Sequence, residues 1–258
     1  MSTLKQTIEH GVCTLTFNRP QVFNSFNKEM ALELQAALDN CAADEQVRVV
    51  VLTGEGRAFC AGQDLAEATD PQGPALQEIV AKHYNPIILK IRALEKPVIA
   101  AVNGVAAGAG ANIALASDLV IAKESASFIQ AFSKIGLIPD SGGTFFLPRL
   151  VGAQKALALM MTGEKVLAPD AEKMNMIYKA VSDNDFESVV SQLALQLASM
   201  PTKALGLTKK AVDAGFNQSL TAQLDLEETL QTQAGQTHDF KEGVQAFLEK
   251  RSPEFKGY

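Results

Sequence analysis

Twice in the first half of the chain, a short and almost uninterrupted apolar run is followed by a glycine-bearing loop and then by a helical pattern. Val47 to Thr53 (VRVVVLT) stops at GEGR, and Val98 to Val102 (VIAAV), preceded by Pro97, stops at Asn103-Gly104. Runs this short and this apolar read as strands covered on both faces, which requires layers of helix around a sheet and predicts an α/β architecture. Val12 to Phe17 (VCTLTF) instead alternates apolar and polar residues until NRP ends it, the pattern of a half-buried strand.

Asn27 is placed to cap a helix carrying Met30, Leu34, Ala37, Leu38 and Cys41 near one face. DPQGP reads as a loop, and a helix is predicted from about Leu76 to Ala93. From Phe186 a stripe of Phe186, Val189, Val190, Leu193 and Leu197 defines another helix. The rest reads as three helices, about Thr202 to Ala214, Leu220 to Gln233 and Phe240 to Lys250. A length of 258 residues is enough for one large core with an appendage. The division expected is a core over 1–199 and a helical C-terminal region over 200–258.

With 23 Lys+Arg against 29 Asp+Glu, the formal charge is −6, so a phosphate-backbone footprint and a nucleic-acid partner are not expected. Three cysteines, Cys13, Cys41 and Cys60, form neither an even disulfide set nor a C-x-x-C pair, which points to a reducing compartment, the cytoplasm. The N-terminal residues lack a secretory pattern, and no apolar run approaches the roughly 20 residues that span a bilayer.

Several catalytic templates nearly match and fail. GAGANI (Gly108 to Ile113) follows a strand and opens a helix, but Ile113 stands where a dinucleotide fingerprint needs Gly or Ala. IPDSGG resembles a serine nucleophile elbow, yet Pro139 replaces its first glycine, so Ser141 reads as a turn or cap residue. His10, His83 and His238 lie far apart and outside any ligand motif, so no metal site is expected. Cys60 has no base nearby in sequence and reads as a small buried residue.

Two loops hold more promise. GEGRAFCAGQDL (Gly54 to Leu65) and NGVAAGAGANIAL (Asn103 to Leu115) each follow a strand, and their small residues let backbone N–H groups approach a ligand. Two converging donors would form an oxyanion hole for a thioester carbonyl becoming an enolate; tight turns alone would also explain the glycines. A third segment, FSKIGLIPDSGGTFFLPRLVG (Phe132 to Gly152), sets Asp140 before a helical stretch, as a helix cap or as a reactive carboxylate.

FNRPQVFNSFN, GRAFCAGQDL, NGVAAGAGANIALASDLVIA and GLIPDSGGTFFLPRLVG resemble, in order and spacing, the crotonase superfamily, also called the enoyl-CoA hydratase/isomerase superfamily. The similarity runs through the tail to KEGVQAFLEKRSPEF. The resemblance implies a crotonase-like spiral of ββα units with a C-terminal helical trimerisation region, assembling as a homotrimer or hexamer. It implies an acyl-CoA thioester as substrate, with no metal or redox cofactor because coenzyme A is part of that substrate. By the same resemblance the oxyanion hole falls on the N–H groups of Ala61 and Ala109, with Gly110 as the alternate second donor. Position 109 is usually glycine in the family, so alanine serves only if its φ is not positive. Gly62, Gln63 and Asp64 are expected around the coenzyme, although Asp64 suits a helix cap equally, and Gly110, Asn112 and Phe132 are expected against the substrate.

In members that hydrate a double bond, two glutamates handle water; the matching positions here are Asn112 and Phe132, neither able to act as acid or base. Asp140 alone remains, which suits an isomerisation through an enolate. Within the superfamily the chain resembles the ring-1,2-epoxyphenylacetyl-CoA isomerases of phenylacetate degradation, sharing the YNP of Tyr84 to Pro86, AFSKIGLIPDSGG and QLDLE. The activity implied is conversion of the ring epoxide to an oxepin thioester. The alternatives are a 3-enoyl-CoA to 2-enoyl-CoA isomerase and a non-catalytic CoA-binding scaffold subunit.

Overall fold

The computed structural model describes residues 2–258. Its strands are β1 (Leu4–Glu9), β2 (Val12–Phe17), β3 (Val49–Gly54), β4 (Ala58–Cys60), β5 (Val98–Val102), β6 (Val105–Ala107), β7 (Leu119–Lys123), β8 (Ser127–Ile129), β9 (Lys165–Leu167) and β10 (Lys179–Val181). They form a six-stranded sheet in the order β1-β2-β3-β5-β7-β10 and a four-stranded sheet in the order β4-β6-β8-β9. Pairing is parallel except between β1 and β2 and between β8 and β9. Successive strands alternate between sheets, β3 then β4, β5 then β6, β7 then β8, and helical chain follows each pair. Each of these turns therefore adds one strand to each sheet, a spiral of ββα units, after a first turn whose β1 and β2 both join the large sheet.

The apolar runs are buried on both faces, as their composition demands. On one side of the large sheet, Leu15, Phe17 and Leu52 pack with Met30, Leu34 and Leu38 of the helix Lys28–Ala43. On the other side, Val49, Val51, Ile99 and Ile121 pack against Phe186, Val190, Ala194 and Ala198 of the helix Phe186–Ser199. Asn27 caps its helix, accepting from the Met30 N–H at 3.0 Å.

Two elements depart from the sequence pattern. The strand expected from Val47 begins at Val49, because Val47 closes a turn on Asp44 and Arg48 turns its guanidinium to Met200 O, Thr202 Oγ1 and Phe255 O in the tail. The helix expected over 76–93 is interrupted by a π-helical stretch, Ile79–Tyr84. Pro86 has no N–H to give to Lys82 O, and Gln35 Nε2 donates to that carbonyl instead at 2.8 Å. The C-terminal helices are Thr202–Gly215, Leu220–Gly235 and His238–Glu249. No helix of the described residues is long and apolar enough to cross a membrane.

Candidate active site

The two glycine-rich loops are brought into backbone contact. A Cβ on Gly110 would stand 2.4 Å from Cys60 O, and one on Gly62, whose φ is +95°, would stand 3.0 Å from Ala107 O and 3.6 Å from Ala109 N. Only glycine permits this approach. Cys60 is the packing residue expected: fully buried, with its thiol pushed up to about 12 by desolvation.

Hydrogen-bond accounting then decides which amides can serve a ligand. Ala61, expected as the first donor, is not available, because its N–H donates to Phe23 O at 3.0 Å. The next segment pairs with Phe26, whose N–H donates to Gly62 O (2.7 Å) and whose carbonyl accepts from Asp64 N–H (2.8 Å). Gln63 lies between these two bonds, and its own N–H has no acceptor among the described residues. The first donor therefore moves from Ala61 to Gln63. Ala109 opens the helix Ala109–Leu115, its φ is not positive, and its N–H likewise has no acceptor among the described residues. Gly110 sits in the same first turn.

The side chains around this pair are held tightly. Gln63 Oε1 accepts from Tyr84 Oη at 2.6 Å, and its Nε2 donates to Glu67 at 3.1 Å. Tyr84 is 1% exposed, and its phenol is pushed well above the ordinary range, first by burial and then by the neighbouring carboxylates of Asp140, Glu67 and Asp64, so it stays a neutral donor. Asp64, left between coenzyme contact and helix cap, is committed to structure: it caps the short helix Leu65–Ala68 through the Ala66 N–H and pairs with Arg19 at 2.8 Å.

Asp140 precedes the helix Gly143–Val151, but Gly142, in the left-handed region, is the N-cap, and the Asp140 side chain does not cap. Its carboxyl group is half-buried and held above the ordinary aspartate range by desolvation, against the lowering effect of a hydrogen bond from Ser141 Oγ to Oδ1 at 2.8 Å. Phe132 is buried, its Cζ 3.8 Å from where a Gly108 Cβ would lie, and so walls the mouth of the second loop. Asn112, expected against the substrate, is instead fully buried: Nδ2 donates to Asp140 O and Oδ1 accepts from Gln130 Nε2, both at 2.8 Å. Both amide atoms thus have a protein partner.

Two free amides in adjoining loops and a carboxylate joined to them through the Asn112 helix make an arrangement suited to proton transfer next to a carbonyl. Tyr84, Gln130 and the Gln63 amide were not found from sequence. The only local signal was the proline two residues after Tyr84.

A family model described as enoyl-CoA hydratase/isomerase matches residues 7–258. The 1,2-epoxyphenylacetyl-CoA isomerase of Escherichia coli K12 is 48% identical over 100% of this chain and 99% of its own. A protein of Rhodobacter capsulatus named a probable enoyl-CoA hydratase is also 48% identical, over 99% of this chain and 98% of its own. Among solved structures, the enoyl-CoA hydratase of Bacillus anthracis superposes with a TM-score of 0.93 at 33% identity, covering 99% of this chain and 100% of that one.

Proposed function

The chain belongs to the enoyl-CoA hydratase/isomerase family and has its crotonase fold, and from that premise we propose that it is an acyl-CoA isomerase converting ring-1,2-epoxyphenylacetyl-CoA to the oxepin thioester. In this reading the Gln63 and Ala109 N–H groups hold the thioester oxygen. The carbon–carbon bond shared by the epoxide and the six-membered ring opens to give the seven-membered oxepin. Asp140 takes the α-proton, the electron pair spreads to the thioester oxygen and into the ring, and Asp140 returns the proton to a ring carbon, leaving a double bond from the α-carbon to the ring with no atom gained or lost. The transfer needs no metal or redox group, and coenzyme A arrives as part of the substrate.

One observation carries the reading. The Asp140 carboxyl group is half-buried and held above the ordinary range by desolvation, and its main chain is held by Asn112 of the helix that Ala109 opens. Water addition, the reaction in the Rhodobacter relative's name, needs a second acid or base, and positions 112 and 132 carry an engaged amide and a phenyl ring.

Asp140→Asn is expected to lower α-proton exchange of the thioester in deuterated water by about 10²–10⁴-fold, the usual worth of a positioned base, with CoA-thioester binding retained. Undiminished exchange would remove Asp140 from the reaction. A panel of thioesters compared by kcat/KM tests the substrate, and faster turnover of a 3-enoyl-CoA would favour simple double-bond migration.

The same reading sets the enzyme in the cytoplasm, consistent with three buried, unpaired cysteines. It also makes the enzyme a homotrimer or hexamer, which would cover Phe240, Phe247 and Leu248 of the last helix, all more than half exposed in the single chain.

A further inference from the structure

Gln130 is 2% exposed, yet its Oε1 has no hydrogen-bond partner among the described residues. A buried amide oxygen without a donor costs free energy, so its orientation needs a cause. The cause lies at the other end of a short amide chain. Asp140 O can only accept, so Asn112 must turn Nδ2 toward it. Asn112 Oδ1 then faces away and can only accept, so Gln130 must present Nε2. Its Oε1 is left at the end of the chain. Reversing either amide would set two oxygens against each other. The direction of the chain is imposed from Asp140 outward.

We propose that Asn112 and Gln130 are positioning residues that hold the Asp140 main chain so that its carboxylate stays aimed into the site, an inference that rests on Asp140 being the proton-transferring group. The carbonyl that Asn112 grips belongs to the peptide joining Asp140 to Ser141. Ser141 has φ +51°, in the left-handed region, which a serine adopts only when its surroundings enforce it. Its hydroxyl in turn donates to Asp140 Oδ1. Grip on that peptide thus passes through Ser141 back to the carboxylate. The amide packs directly over Gly143, where a Cβ would stand 2.3 Å from Asn112 Nδ2, so the glycine is what admits this bond. A glutamate or aspartate at 112 would be an acceptor only and could not make this bond, so the amide here is a support as well as the loss of an acid.

The test is steady-state kinetics, a pH profile and α-proton exchange for Asn112→Asp, Gln130→Met and Asp140→Asn beside the unaltered enzyme, each checked for folding by circular dichroism. Asn112→Asp replaces the donor at nearly equal volume. Gln130→Met removes only the donor to Asn112, without adding charge. Both are expected to lower kcat, by about 10–100-fold and about 3–10-fold respectively, with KM changed less than about threefold. In both, the acid limb of kcat/KM should move to higher pH as the Ser141 hydrogen bond loosens. A role confined to folding would scale kcat without moving that limb. Wild-type kcat and an unmoved limb in either folded variant would overturn the proposal; should Asn112→Asp fail to fold, Gln130→Met decides. Wild-type exchange in Asp140→Asn would instead overturn the reading of Asp140 itself.

Discussion

At the scale of single residues, Asp140 works against the stability of the chain that carries it. Burial raises its carboxyl group above the ordinary aspartate range, so the native state binds that proton more tightly than the unfolded chain does. A group raised in this way contributes stability below its unfolded pKa and loses that contribution as pH rises through its folded one. At neutral pH the ionised side chain is therefore a net cost, and Asp140→Asn is expected to melt at a higher temperature than the unaltered protein at pH 7. The gap should close as the pH falls toward the aspartate range, and melting curves across pH measure it. In the proposed reaction Asp140 must be ionised to take the proton, so kcat/KM is expected to rise with pH through a limb lying above the ordinary aspartate range. Cys60, Ser141 and Phe132 were legible in the sequence as a packed thiol, a turn residue and an apolar wall. Asn112 was legible only as a missing carboxylate, because its use depends on a carbonyl from another element.

At the scale of elements, the site is a junction of loops whose contacts leave no room for side chains. Gly110→Ala would place a methyl group 2.4 Å from Cys60 O. It is expected to destabilise by about 1–3 kcal/mol, the ordinary range for overpacking, and to lower kcat by parting the Gln63 and Ala109 amides; chemical denaturation and turnover together check it. The π-helical stretch at Ile79–Tyr84 is the second device. Its wide turn, made at Pro86 and supported by Gln35, delivers Tyr84 Oη to Gln63. Tyr84→Phe keeps the ring's packing and its edge contact with Phe26 while removing that hydrogen bond. It is expected to cost about 0.5–1.5 kcal/mol in stability and to reduce kcat through a loosened first loop. These elements were visible beforehand, since Val12 to Phe17 alternates, Val98 to Val102 is a continuous apolar run, and the helix from Phe186 repeats its apolar stripe along its length. The three-residue strands β4, β6, β8, β9 and β10 are too short to show any period, and β1 is exposed along most of its length, so neither carried a signal.

For the molecule as a whole, the C-terminal helices are fastened to the spiral by buried charge. Lys209 Nζ and Arg92 Nη1 both meet Asp118 at 2.9 Å, and Arg48 ties Thr202 and Phe255 O to the start of β3. The outer face of the last helix remains apolar, with Phe247 83% exposed. For the homotrimer or hexamer proposed above, Phe247→Asp is expected to shift the sedimenting mass toward the single chain, and an unchanged mass would place the assembly surface elsewhere. The amino-acid sequence by itself determined the longer strands and helices, the glycine corners and the presence of a lone aspartate at the head of a helix, because these follow from periodicity, apolar runs and local backbone chemistry. Only the tertiary structure decided that the Ala61 N–H is bonded while that of Gln63 has no acceptor among the described residues, and that Asn112 is buried between Asp140 O and Gln130. Whether an amide is satisfied depends on which distant carbonyl the fold brings to it, and no local pattern of residues records that.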